Sequence, residues 1–539
     1  MIDRRMRTRR TIINRVVAGR VIGGRSVVKP CVVKPCVVRS RAVLLCGVLL
    51  WVVLLCVVET DAAVAVVPGD PQSADHGASR SKPVATFPTE RVTTPVMAAV
   101  LAGDHNRLAG LLEDPEVDWS GGAYNRPPLS IACRRGDARA AELLIAAAKT
   151  ARGWASRGDL RGTEMVNHTS AGGVTPLMDA CRSGDLSTVE TVLAASPNLD
   201  ARQRQGQTAL IWAAAAGHDA VLRRLIDAGA DWRATTDLGY SALQLAARQG
   251  HQTTCDVLID AGADVNAAIK PKKKGERWPR NGLSPLMLAV ESGHFALALH
   301  LVRRGADPND QRSGYGPLHA MAYVRRPQLG DSVQGDPPPR GSGNVSAESF
   351  VREMVRLGAD VNLRLIKGKR PKGQLNPKGA TPFLMAAQTV DLPLMRWFVE
   401  CGADPTISND DQTTALMAAA GVGNHFVGEH PGTVAEVHAA IDWLLDLGLD
   451  INAVDSGGET AMHGAAYRCY PATVQYLMSR GAAVSQWNHV NQYGWTPLTI
   501  AKGYRPGSFK PDPPTIAAVR AALGGVPDAR QHDPDNDWR

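Results

Sequence analysis

Six letters recur along this chain at a nearly fixed distance. "GADWRA" (229–234), "GADVNA" (262–267), "GADPND" (305–310), "GADVNL" (358–363), "GADPTI" (402–407) and "GLDINA" (448–453) are variants of one phrase. Gly229 to Gly262 is 33 residues, and Gly448 to Gly481 is again 33. A second phrase runs in step: "TPL" (175–177), "TAL" (208–210), "SAL" (241–243), "SPL" (284–286), "GPL" (316–318), "TPF" (381–383), "TAL" (414–416), "TAM" (460–462) and "TPL" (496–498). A period of this length restricts the chain to a stack of small supersecondary units, because one such unit cannot bury its own apolar face.

Each letter has a physical task. The Thr or Ser oxygen caps a helix start, and Pro at the next position gives up an N–H that would be unpaired there. The Leu and Ala residues that follow, as in "LQLAARQG" (243–250), make a short, narrow helix that allows close packing. Gly217, Gly250 and Gly293 are expected to end that helix at positive φ. A second helix carries Leu225-Ile226, Leu258-Ile259 or Leu301-Val302, and the Gly of "GAD" stops it. The Asp and Asn that follow are expected to turn the chain into the next unit.

The pattern "TPLxxA…G…LLxxGADxN" at this period resembles the ankyrin repeat, from about Val92 to Gly524. The resemblance implies an all-α solenoid of about eleven helix–turn–helix units. It also implies protein–protein recognition as a class, with an unnamed protein partner. The first and second units (94–112 and 127–145) are the least typical. The family's usual His after "TPL" is present as His319 and His463. Met178, Ile211, Gln244, Met287 and Met417 replace it elsewhere, which puts the usual loop hydrogen bonds in doubt.

With the period fixed, insertions can be located. Leu318 to Gly358 carries 21 extra residues between two helices, and Leu416 to Gly448 carries 13, around "GVGNHFVGEHPGT" (421–433). Residues 149–173 read as a further loop excursion. Two insertions of 10 and 11 residues fall in the finger loops between units, and both are basic. In 269–280 stand Lys270, Lys272, Lys273, Lys274, Arg277, Trp278 and Arg280. In 364–378 stand Arg364, Lys367, Lys369, Arg370, Lys372 and Lys378. These loops read either as a contact for a polyanion, such as an anionic glycan or a lipid headgroup, or as lysine-rich solvated loops.

The net charge of +8 belongs to the leader. Residues 1–65 hold 12 Lys and Arg against 3 acids, so residues 66–539 sum to about −1 and give no case for nucleic-acid binding. Ala42 to Val58 is a run of 17 uncharged residues after Arg39 and Arg41, followed by the small residues Ala63-Val64-Ala65. That is a signal-peptide plan, and cleavage or retention as an N-terminal anchor both remain open. The expectation is an exported chain, periplasmic or tethered to the membrane facing outward, resembling exported bacterial ankyrin-repeat proteins. Its map is a leader (1–65), a linker (66–91), the repeat array (92–524) and a polar tail (525–539). Cys133, Cys181, Cys255, Cys401 and Cys469 are widely spaced and odd in number, which suggests buried free thiols.

No haem, zinc, phosphate-loop or nucleophile-elbow motif occurs in the sequence, so neither catalysis nor a cofactor is expected. His425, Glu429, His430 and His438 form the best metal-like group, although a polar loop folded over its helix pair explains them more simply. Asn167-His168-Thr169 and Asn344-Val345-Ser346 match glycosylation sequons, which matter only in a eukaryotic secretory pathway.

Overall fold

The hydroxyls of Thr94, Thr175, Thr208, Ser241, Ser284, Thr381, Thr414 and Thr496 each accept the backbone N–H three residues on. Those bonds start the helices where the motif places them. The computed structural model describes residues 94–529, apart from 115–116, 118–125, 151–161, 171, 271–280, 328–337, 368–373, 425–426, 429–430 and 505–509. The leader, the linker and residues 530–539, with what was expected of them, lie outside the described residues. Among the described residues no helix is long and apolar enough to cross a membrane.

The regular elements are α1 Pro95–Ala102, α2 His105–Glu113, α3 Pro128–Arg135, α4 Ala138–Thr150, α5 Gly162–Asn167, α6 Pro176–Ser183, α7 Leu186–Leu193, α8 Ala209–Ala216, α9 Asp219–Asp227, α10 Ala242–Gln249, α11 Gln252–Asp260 and α12 Pro285–Glu291. They continue as α13 Phe295–Arg303, α14 Pro317–Arg325, α15 Ala347–Arg356, α16 Pro382–Gln388, α17 Leu392–Glu400, α18 Ala415–Ala420, α19 Val434–Asp446, α20 Ala461–Arg468, α21 Pro471–Ser479, α22 Val484–Trp487, α23 Pro497–Ala501 and α24 Pro513–Leu523. Among the described residues, setting α5 and α22 aside leaves eleven helix pairs. The first helices pack on one another in chain order from α1 to α23. Their Ala and Leu faces, with the apolar sides of the second helices, form one continuous core.

Gly217, Gly250 and Gly293 end their helices at φ 76, 82 and 78°. Val390 and Cys469 hold the equivalent place at φ 54 and 55°, a conformation that costs an L residue energy and a β-branched one most. The "GADxN" Asn does more than turn the chain. Asn362 donates its Nδ2 to the Gly402 carbonyl at 3.0 Å, and its Oδ1 accepts the Asp404 N–H at 2.8 Å. Asn266 and Asn309 make the same two bonds to the units that follow them. Asn452 bridges to Gly481 and Ala483, and Asn488 to Pro527 and Ala529. These bonds fasten residues 527–529 of the tail to the array.

The excursion at 149–173 is not all loop. Helix α4 continues to Thr150, and α5 buries Met165 and Val166. Asn167 then accepts the Asn198 N–H at 2.7 Å, so this sequon amide is part of the inter-unit stitching. Where Gln244 replaces the family His, the loop bonds persist. Its Oε1 accepts the Ser241 N–H at 2.9 Å, and its Nε2 donates to the Ala267 carbonyl at 2.8 Å.

Candidate functional site

Of the basic finger residues, Lys270, Arg364, Lys367 and Lys378 are described. Lys272, Lys273, Lys274, Arg277, Trp278, Arg280, Lys369, Arg370 and Lys372 lie outside the described residues. Lys270 is exposed. Lys367 is exposed, with Nζ donating to the Arg312 carbonyl at 2.8 Å. Arg364 and Lys378 are tied inward: Arg364 donates to the Ser408 carbonyl at 3.1 Å, and Lys378 pairs with Asp410. Those two cations fasten neighbouring fingers together.

A second surface comes from the first helices themselves. Four and seven residues after each cap position stand Ile131 and Arg134, Asp179 and Arg182, Trp212 and Ala215, Leu245 and Arg248, Leu288 and Glu291. Residues three apart share a helix face. In α8, Trp212 and Ala215 are half-buried, whereas Leu210, Ile211, Ala213 and Ala214 are buried. Leu245 and Arg248 of α10 are likewise half-buried. Once each helix has packed against its own second helix and its neighbours, this inner face is half-buried at Arg134, Arg182, Trp212, Ala215, Leu245, Arg248 and Glu291 and buried at Ile131, Asp179 and Leu288. The Arg182 guanidinium carbon lies 5.7 Å from the centre of the Trp212 ring.

Asp179 is the exception, because it is buried at a position where other units carry an apolar side chain. One terminal nitrogen of Arg126 lies 2.6 and 2.7 Å from its two carboxylate oxygens. Burial pushes the Asp179 carboxyl up to about 6, and the positive charges of Arg126, Arg134 and Arg182 only partly oppose it.

The described parts of both long insertions are docked. In the first, the Ser342 N–H donates to His294 Nδ1 at 2.9 Å, so that nitrogen is the acceptor. Nε2 then carries the proton and donates to the Arg248 carbonyl at 3.1 Å. In the second, the buried Arg468 donates to the Pro431 carbonyl at 3.2 Å and to the Gln388 carbonyl at 3.4 Å. With its amide oriented by these donors, Asn424 accepts from Arg468 Nε at 2.7 Å. Burial lowers the Arg468 guanidinium to about 10, so it stays charged near neutrality. Arg326 donates to the Val390 carbonyl at 2.6 Å and pairs with Glu436 at the start of α19.

His425, Glu429 and His430 lie outside the described residues. His438 stacks on Tyr476 with centroids 3.9 Å apart and shares a hydrogen bond with Thr473 at 3.2 Å. Among the described residues no group of His, Cys, Asp or Glu is arranged to hold a metal ion. All five described cysteines are free thiols. Cys133, Cys181 and Cys255 are buried, and burial raises each thiol, that of Cys255 to about 12. Such thiols are poor nucleophiles. Cys401 and Cys469 are half-buried rather than buried.

Family models described as "Ankyrin repeats (3 copies)" match residues 177–269 and 233–312, and one described as "Ankyrin repeats (many copies)" matches residues 435–478. Among curated proteins, palmitoyltransferase AKR1 of Lachancea kluyveri is 24% identical over 216 residues, which is 40% of this chain. The chain spans about a quarter of that relative's length (24%). Among solved structures, the crystal structure of the human ASB11 ankyrin repeat domain is similar at 19% identity and TM-score 0.37. It covers 52% of this chain and 100% of that chain.

Proposed function

We propose that this chain, an ankyrin-repeat protein, is a non-catalytic scaffold that holds a protein partner on the inner face of its first helices. The observation that carries this reading is the set of half-buried side chains there, with Trp212 and Leu245 at equivalent helix positions in neighbouring units and Arg248 one turn on from Leu245. Large half-buried aromatic and arginine side chains on a rigid array are the usual anchors of protein interfaces. The palmitoyltransferase name belongs to a relative of which this chain spans about a quarter, and the buried thiols give no support to covalent chemistry here.

Export is part of the proposal and rests on the basic, apolar and small-residue order of residues 1–65. Polyanion binding through 269–280 and 364–378 has weaker support, because Arg364 and Lys378 are spent on neighbouring fingers.

The test is capture from the native cell envelope by the tagged chain and by a Trp212→Ala, Leu245→Ser variant. A protein retained by the first and lost by the second is expected. Retention of nothing above an empty tag would overturn the scaffold reading.

A further inference from the structure

We propose that residues 338–343, at the end of the first long insertion, form a clasp that is closed on the sixth unit while His294 is neutral and opens when that imidazole takes up a proton. The proposal is independent of the scaffold reading.

The clasp takes the last place in a row of histidines. His218, His251 and His294 each precede a second helix without capping it. Each reaches back instead, with Nε2 3.2, 3.2 and 3.1 Å from the carbonyl oxygens of Arg182, Ala215 and Arg248. Each ring lies against the glycine stop of the preceding unit, where a Cβ on Gly184, Gly217 or Gly250 would stand 2.5 to 2.6 Å from it. At the next stop, Gly293, the backbone of the insertion replaces the ring. A Cβ there would meet the Gly341 nitrogen at 3.1 Å and the Pro339 oxygen at 3.2 Å. A Cβ on Gly341 would stand 1.7 Å from the Gly293 carbonyl oxygen, so this approach leaves room for no side chain.

Little else holds the segment. Residues 338 and 340–344 are exposed, and Pro339 is half-buried. The next side chain packed on the core is Val345. The polar hold is His294 Nδ1, which accepts the Ser342 N–H at 2.9 Å and lies 2.8 Å from the Ser342 hydroxyl. A segment that buries no apolar side chain is held by little more than such bonds, so their loss decides whether it stays.

Protonation puts a hydrogen on Nδ1 against the Ser342 N–H. The hydroxyl can accept that hydrogen only if the amide, held on the same lone pair, moves off. Nε2 keeps its bond to the Arg248 carbonyl in both states, so the ring stays while the clasp leaves. The titratable group facing His294 is His251, which itself faces His218 and Asp219. Burial, with a smaller contribution from the charge of His251, keeps His294 below its ordinary 6.5. The clasp is therefore closed at neutral pH and opens as pH falls below 6.5. The segment leads to Ser346, the cap of α15. Acid thus slackens the join between the sixth and seventh units without breaking a helix hydrogen bond.

The experiment uses the full chain with isotope-labelled histidine, titrated by NMR, with His294 assigned by its loss in His294→Asn. Closing the clasp and binding the proton oppose one another, so each must weaken the other equally. The wild type should titrate below 6.5. Gly341→Ala, which keeps the clasp off, should titrate about half to one pH unit higher, a roughly three- to tenfold tighter hold on the proton. Arg340→Gln, changed at an exposed side chain of the same segment, should titrate as the wild type does. In the wild type the Ser342 amide, corrected for intrinsic rates, should exchange about tenfold faster at pH 5 than at pH 7.5. In His294→Asn, whose carboxamide oxygen accepts without titrating, it should not accelerate. Equal midpoints in the wild type and Gly341→Ala would overturn the proposal, as would a wild-type Ser342 amide protected alike at both pH values.

Discussion

Arg126 and Asp179 meet across 53 residues of sequence, with one guanidinium nitrogen of Arg126 between the two carboxylate oxygens of a fully buried side chain. Burial still holds that carboxyl at about 6, above its ordinary 3.8. The folded chain therefore binds this proton more tightly than the unfolded chain does. The stability this contributes is present in full below about pH 4 and is lost as pH rises through about 6. The Asp179→Asn variant should lack that component. Its stability relative to wild type should rise by roughly 2–3 kcal/mol between pH 4 and 7, read from urea midpoints at pH 4, 5.5 and 7. Parallel curves for the two proteins would refute the assignment.

The His294–Ser342 bond has the opposite sign. Burial lowers the His294 imidazole below its ordinary 6.5, with a smaller contribution from the charge of nearby His251. Its stabilising effect is complete above pH 6.5 and is lost as pH falls through the lower folded value. Protonation converts Nδ1 from acceptor to donor and opposes the Ser342 N–H. Amide exchange at Ser342, corrected for intrinsic rates, should accelerate at pH 5 relative to pH 7.5. The amide of Asp404, which no histidine holds, should not accelerate.

Asn362 makes two inter-unit bonds. Asn362→Ala should cost about 1–2 kcal/mol, since each such bond contributes about 0.5–1.5 kcal/mol net. Faster exchange should be confined to Asp404 and its neighbours. An unchanged Asp404 amide would show that the stitch carries no weight.

Cys469 occupies the left-handed helix stop where other units have Gly. Cys469→Gly should raise stability by about 0.5–1 kcal/mol, because glycine takes that conformation without penalty. Val390→Gly should not do so, since Val390 is buried and loses apolar burial worth about 2 kcal/mol. Thermal melts of the two variants should move in opposite directions.

The repeat was legible because its determinants are local. A cap oxygen reaches three residues, and a glycine stop acts on its own helix, so Thr208 and Gly217 mark one helix of α8 without help from elsewhere. The inner-face arginines carried a readable signal too, since Arg182 and Arg248 stand two 33-residue periods apart. What the sequence hid are bonds whose partners depend on how separate units register. Arg468 ends at the Gln388 carbonyl 80 residues away. Arg364 and Lys378 look like free finger cations until the neighbouring loop supplies Ser408 and Asp410. Helix α5 lies in a stretch that reads as loop, although Val166-Asn167 repeats the end of the "GADVN" phrase.

The side-chain stitches from Asn266, Asn309 and Asn362 each reach one neighbour and no farther. Such an arrangement behaves under tension as a row of equal links in series. A pulling force applied along the array would load every stitch alike and would give way one link at a time. The extended chain would shorten again in the same increments as each amide found its carbonyl.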